Sequence, residues 1–137
     1  MERRTPRIGR EDGQAAVEFA LVLPVLAVLL LGIVQFGIAF NHYLTLTDAV
    51  RAGARQAAVS RLVADPVGAT KARVTGAADG LKVSDVDVKV TAPGGGPASW
   101  APASDVKVTA SYPYDINLLG IVVASGRLSS STVERVE

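Results

Sequence analysis

Cysteine is absent from the 137 residues, which excludes a disulfide framework, a zinc-thiolate site and a cysteine nucleophile. Histidine occurs once, as His42, with no second residue pattern that would complete a metal site or a catalytic triad around it. It reads as a side chain at the edge of an apolar run. Aromatic residues make up only 5% of the chain, so a core must be built mainly from Ala, Val and Leu. Trp100, Tyr112 and Tyr114 read as anchors of that small core. Neither charge sign dominates, with 14 Lys+Arg against 13 Asp+Glu, so there is no global electrostatic case for nucleic acid. Gly94-Gly95-Gly96 is not followed by Lys-Ser/Thr or a helix start, and so reads as a loop and not a phosphate cradle. Asp85 and Asp87 lie two apart on an expected strand, too few ligands for calcium. No catalytic set is found. The expectation is a protein that is not an enzyme, with no cofactor, no metal and no small-molecule substrate.

Long apolar runs, by contrast, are present. Residues 19–40 (FALVLPVLAVLLLGIVQFGIAF) hold about 22 positions without a formal charge, the length that spans a hydrocarbon core. The run is apolar on every face, which is not the pattern of a surface helix. Pro24, Gly32 and Gly37 would weaken a soluble helix and are better tolerated in lipid. The rest of the chain is too small to wrap such a helix as a soluble core. A secretory signal has a shorter apolar core and a small-residue cleavage site, and Phe40-Asn41-His42-Tyr43 is a poor one. A retained transmembrane span at about residues 17–40 is therefore expected.

Ahead of the span, residues 1–13 read as a disordered cytoplasmic leader carrying Arg3, Arg4, Arg7 and Arg10. Those arginines place the N-terminus inside and the C-terminal part outside the cytoplasmic membrane. Beyond the span the helical pattern continues, giving one long helix over 14–62. Ala49, Gly53 and Ala57 form a small-xxx-small ladder that permits close helix approach, either to the chain's own domain or to another subunit.

Residues 63–137 read as a small extracytoplasmic α+β domain. Asp65-Pro66 is an N-cap followed by Pro at the first helical position, opening a short helix that stops near Asp79-Gly80. The period then changes to two: Val86, Val88 and Val90 alternate with polar residues. The alternation returns at Val106, Val108, Ala110 and Tyr112 after the break Pro93-Gly94-Gly95-Gly96-Pro97. A hairpin with a long connection is expected, with a third, weaker strand over 128–136 and a solvated face at Ser129, Ser130, Ser131 and Thr132. The apolar stretch 116–124 (INLLGIVVA) fits either a buried connection or a surface lying against the membrane. The fold class is α+β: a long N-terminal transmembrane helix packed on an antiparallel sheet of about three strands, the helix supplying the apolar face the sheet lacks.

The segment before the span is distinctive. Gly13-Gln14-Ala15-Ala16-Val17-Glu18-Phe19 puts an acid at the mouth of a membrane helix, where it needs a partner or a reason. At the membrane interface it could also simply favour the helix N-terminus. This segment, Gly-Ile-Val-Gln-Phe-Gly around Gln35, and Ala-Val-Arg-Ala-Gly-Ala-Arg at 49–55 together resemble the TadE-like family, pilin-related proteins of tight-adherence (Flp-type) pilus systems. The likeness covers about residues 13–60, and Gln35 departs from it where many relatives carry Glu.

The resemblance implies a pilin-like fold and cleavage by a prepilin peptidase between Gly13 and Gln14. Gly13 lets a protease approach the backbone and disfavours helix across that bond. It further implies assembly through Glu18 and the adjoining Phe19, the acid pairing with the N-terminal amine of a neighbouring subunit. A mature N-terminal Gln14 can cyclise, which would replace that ion pair by a hydrogen bond. The implied role is a minor pilin or pseudopilin supporting pilus assembly or initiation. Its partners would be the membrane, the peptidase, other pilin-like subunits and the assembly machinery, and its location the cytoplasmic membrane or a cell-surface pilus. The alternative is a permanently anchored extracytoplasmic adaptor that is neither cleaved nor in the filament.

Overall fold

The computed structural model describes residues 10–92 and 100–137, with side chains from residue 13 onward. The leader arginines and the Pro93-Gly94-Gly95-Gly96-Pro97 break lie outside the described residues and side chains.

Helix α1 spans Arg10–Val59, 50 residues, about 75 Å at the helical rise. It starts ahead of the expected position and passes through Gly13 and Gln14 without a break. The helix thus runs across a bond at which glycine only disfavours it. A single glycine inside a helix costs only about 1 kcal/mol, which the rest of so long a helix outweighs. Pro24 sits inside α1 without ending it.

Burial divides α1 in two. Every residue from 13 to 31 is exposed. Above that, Gln35, Ala39 and His42 are half-buried, and Leu46, Ala49, Val50, Gly53 and Ala57 are buried. These positions recur every three or four residues, so they form one stripe along the helix. The stripe carries the rest of the chain.

A turn after α1 leads into α2, Pro66–Ala77. Asp65 caps it as expected: its carboxylate accepts from the Gly68 amide at 2.8 Å. A single 3-10 turn at Val83–Asp85 then precedes β1, Asp87–Thr91. Asp85 therefore lies in a turn and not on a strand, with its carboxylate accepting from the Ser84 hydroxyl at 3.0 Å.

Strands β2 (Asp105–Leu118) and β3 (Ile121–Arg135) complete an antiparallel sheet of order β1-β2-β3. The alternation read from sequence is borne out on β2, where Val106, Val108, Ala110 and Tyr112 are buried. Strand β3 departs from expectation. It is the longest strand, and it pairs with β2 from Asp105↔Arg135 down to Leu118↔Ile121. The stretch 116–124 is thus not a buried connection but the exposed end of a long hairpin. Its turn residues Leu119 and Gly120 have φ of 54° and 88°, the left-handed pair of a two-residue hairpin turn.

The core joins the upper stripe of α1 to Val74 and Ala78, to the inner face of β1 and β2, and to Trp100 and Val136. It also closes the end of α1, whose last carbonyls lack intrahelical partners. The Trp100 indole N–H donates to the Ala57 carbonyl at 2.8 Å, and the Glu137 amide donates to the Ala58 carbonyl at 3.1 Å. Trp100→Phe keeps most of the ring volume and deletes one of these bonds. It should cost about 1 kcal/mol, read as a lower urea midpoint by far-UV circular dichroism in detergent. An unchanged midpoint would show that the indole bond contributes nothing net.

Candidate functional site

The residues singled out in the sequence fall at two places on α1. At its lower end Gly13, Gln14, Glu18 and Phe19 are all exposed. A Cβ on Gly13 would meet nothing within 4 Å outside its own helix backbone, so among the described residues nothing shields the Gly13–Gln14 bond. Hydrolysis there requires the helix to open locally, and the glycine makes that easier by about 1 kcal/mol relative to alanine.

Helical side chains lean toward the N-terminus, which brings position i+4 back over position i. Accordingly the Gln14 side-chain amide donates to a Glu18 carboxylate oxygen at 3.1 Å. This bond occupies one oxygen of Glu18, and among the described residues the other has no partner. The same direction of lean points Glu18 toward the amine that cleavage before Gln14 would create. Phe19, 62% exposed, adjoins it with no ring partner among the described residues.

Ala49, Gly53 and Ala57 lie at the upper end and are buried inside the chain. The ladder receives α2: a Cβ on Gly53 would stand 2.2 Å from Cγ2 of Val74 and 3.5 Å from the Thr70 carbonyl oxygen. Close approach is what the small residues permit, and the element approaching is the chain's own second helix.

Between these regions lies a boundary that sequence reading did not locate. His42 meets Tyr112 edge to face, ring centroids 5.5 Å apart, fastening the middle of α1 to β2. A cleft of about 240 Å³ beside it gathers Gln35, Lys82, Asp85 and Asp115. An adjoining cleft of about 420 Å³ is mostly apolar, walled by Phe36, Phe40, Tyr43, Ile116 and Leu128, with Arg127 at its side. Only the hydrophobic character of residues 36–43 hinted at this junction, because its other half comes from residues distant in the chain, between Lys82 and Leu128. Among the described residues no three His, Cys, Asp or Glu side chains gather in a way that could hold a metal ion.

The architecture defines a class: an α+β chain with, among the described residues, one helix long and apolar enough to cross a membrane, its apolar window 0% buried by the others. That exposure rules out a core helix of this domain. Residues 13–55 match the family model of TadE-like protein, so the N-terminal segment is TadE-like, as its motifs indicated. The match starts at Gly13 and ends within the stripe that packs α2. The TadE-like likeness of this segment implies a Tad pilus-associated protein. Neither the curated proteins nor the solved structures compared with the chain give a match.

Proposed function

We propose that the protein is a minor pilin or pseudopilin of a tight-adherence pilus, processed by a prepilin peptidase and acting structurally, without catalysis, in pilus assembly or initiation. The observation that carries this reading is the position of the family match: it opens on the exposed Gly13–Gln14 bond and runs up a helix whose lower half is uncovered. In the precursor the leader stays on the cytoplasmic side and the sheet lies across the membrane. Water is added across the Gly13–Gln14 peptide bond, leaving a carboxylate on Gly13 and an amine on Gln14. The free oxygen of Glu18 then pairs with the amine of a neighbouring subunit. In a low-dielectric setting a missing partner leaves a charge unpaired, so the pair sets register between subunits. Helix-to-helix contacts of this head-to-tail kind propagate as open helical assemblies.

Glu18→Ala is expected to leave processing intact and to lower the subunit's share in sheared surface material by tenfold or more. Normal pilus formation by that variant would remove Glu18 from the account.

The unbroken course of α1 through Gly13 and Gln14 favours a second reading. In it the helix is never opened, and the protein remains an anchored extracytoplasmic adaptor of the pilus or secretion machine. Wild-type protein confined to the membrane fraction, with none in sheared filaments, would support that reading.

A further inference from the structure

The β2–β3 hairpin runs antiparallel to α1, and its end leaves the domain in the direction of the apolar span. Trp100 and Val136 sit at the top of α1, Tyr112 lies on His42, and Ile116 lies beside Phe36 and Phe40. Three residues separate Ile116 from Leu119, about 10 Å of strand, so the turn descends below the level of Phe36. From residue 116 to residue 126 the hairpin carries no formal charge, and it is flanked at once by Asp115 and Arg127. Leu119 is 78% exposed and Ile121 68% exposed, with Val122 and Val123 also exposed. An apolar surface of this kind on an otherwise polar hairpin needs a partner.

The turn itself adds an independent observation. Leu119 holds φ of 54°, a left-handed conformation that suits Asn or Gly and is unfavourable for a leucine. The Gly120 amide, meanwhile, is tied to the Asn117 side chain at 2.9 Å. A leucine is thus held at the outermost point of the hairpin against its own backbone preference.

We infer that this hairpin tip is a second membrane contact: it inserts into the outer part of the bilayer leaflet on the domain's side, beside the span. The inference rests on α1 being the membrane span. Continuity with that span identifies the occupant. About 20 residues beyond Glu18 reach Ile38, which puts the hydrocarbon boundary at the level of the polar cleft, with Asp115 and Arg127 among the headgroups. The tip then reaches about 10 Å below, the depth at which interfacial apolar groups reside. Depth is limited because, among the described residues, the outer edges of β2 below Ser111 and of β3 have no strand partner, and their peptide groups need water or headgroups. The contact fixes the tilt of the domain on its helix, holding it against the membrane before any assembly.

The chain's lack of cysteine makes the test clean. Single cysteines at Leu119, at Leu26 in the span and at Lys71 on exposed α2 would be labelled with an environment-sensitive fluorophore. Each full-length variant would be reconstituted in phosphatidylethanolamine–phosphatidylglycerol vesicles whose acyl chains carry bromine at a shallow or a deep position. Leu119→Cys is expected to show blue-shifted emission, quenched at least twofold by shallow bromines and less by deep ones, with Lys71→Cys unaffected. An aqueous signal at 119, with Leu26→Cys in lipid, would overturn the inference and leave the span intact. A blue shift at 119 that ignores bromine and grows with protein density would overturn it in favour of contact with a second copy. An aqueous signal at 26 would overturn the span and this inference together.

Discussion

Gly53→Val is expected to unfold the domain while leaving the apolar half of α1 helical. The site has no room: even the first carbon of a side chain would overlap the buried Val74 side chain, and with the Thr70 carbonyl already in van der Waals contact at 3.5 Å little space is left for the further carbons of a valine. Relief requires α2 to move off α1. That separation would expose Leu46, Val50, Ala57 and Val74, all fully buried. Overpacking costs of about 1–3 kcal/mol are typical where a core can adjust. Here adjustment means undocking an element, so a loss of about 3 kcal/mol or more is expected, a large part of the stability of a small domain. Trp100 is the only tryptophan, is buried, and bonds to α1, so its emission should shift to the red in the variant. Gly76→Ala is the matched control. It also replaces a glycine in a helix, but its Cβ meets nothing within 4 Å, so it should be neutral or slightly stabilising. Equal behaviour of the two variants would contradict the packing account.

Gly13→Val is expected to abolish processing without disturbing the domain. Gly13 lies beyond every residue that contacts the sheet, and its surroundings are open, so the folded part gives no reason for a glycine there. Two effects act against the variant. A branched side chain at the scissile residue blocks close approach by a protease, and the helix across the bond becomes harder to open. Gly13→Ala separates them. Alanine is small, but it stabilises the helix by about 1 kcal/mol, which lowers the opened population about fivefold. Slowed but complete cleavage of Gly13→Ala, with none for Gly13→Val, is the expected pattern on a gel-shift time course. Cleavage of Gly13→Val at the wild-type rate would remove Gly13 from the processing site.

Much of this architecture was legible in the residues, for identifiable reasons. The charge-free run 19–40 has a length set by the bilayer, and Asp65-Pro66 carries its helix start in its side chains. The period-two valines of β1 and β2 mark a sheet with one face buried. Strand β3 was legible only in its polar half. Residues 121–127 do not alternate, because both faces of the projecting hairpin are exposed, and so the pattern that burial imposes is missing. The turn also lacks the Asn-Gly or Asp-Gly pair that announces a two-residue hairpin, having Leu119-Gly120 in its place.

At the candidate site the types of residue were legible, but their partners were not. The ladder of small residues announced a close approach without saying to what, and the answer, Val74 on α2, is a contact between elements. Trp100 finds Ala57 across 43 positions, a pairing no local pattern encodes. The bond from Gln14 to Glu18, in contrast, follows from helical spacing alone.

The central claim is that Gly13–Gln14 is a processing site on a pilin-like helix. The measurement that tests it most directly is the intact mass of the full-length protein extracted from membranes, with and without its cognate prepilin peptidase. The account predicts a peptidase-dependent mass beginning at Gln14, with any methylation or cyclisation of that residue resolved in the same spectrum. A chain still beginning at Met1 in the presence of active peptidase would contradict it and identify α1 as a permanent anchor.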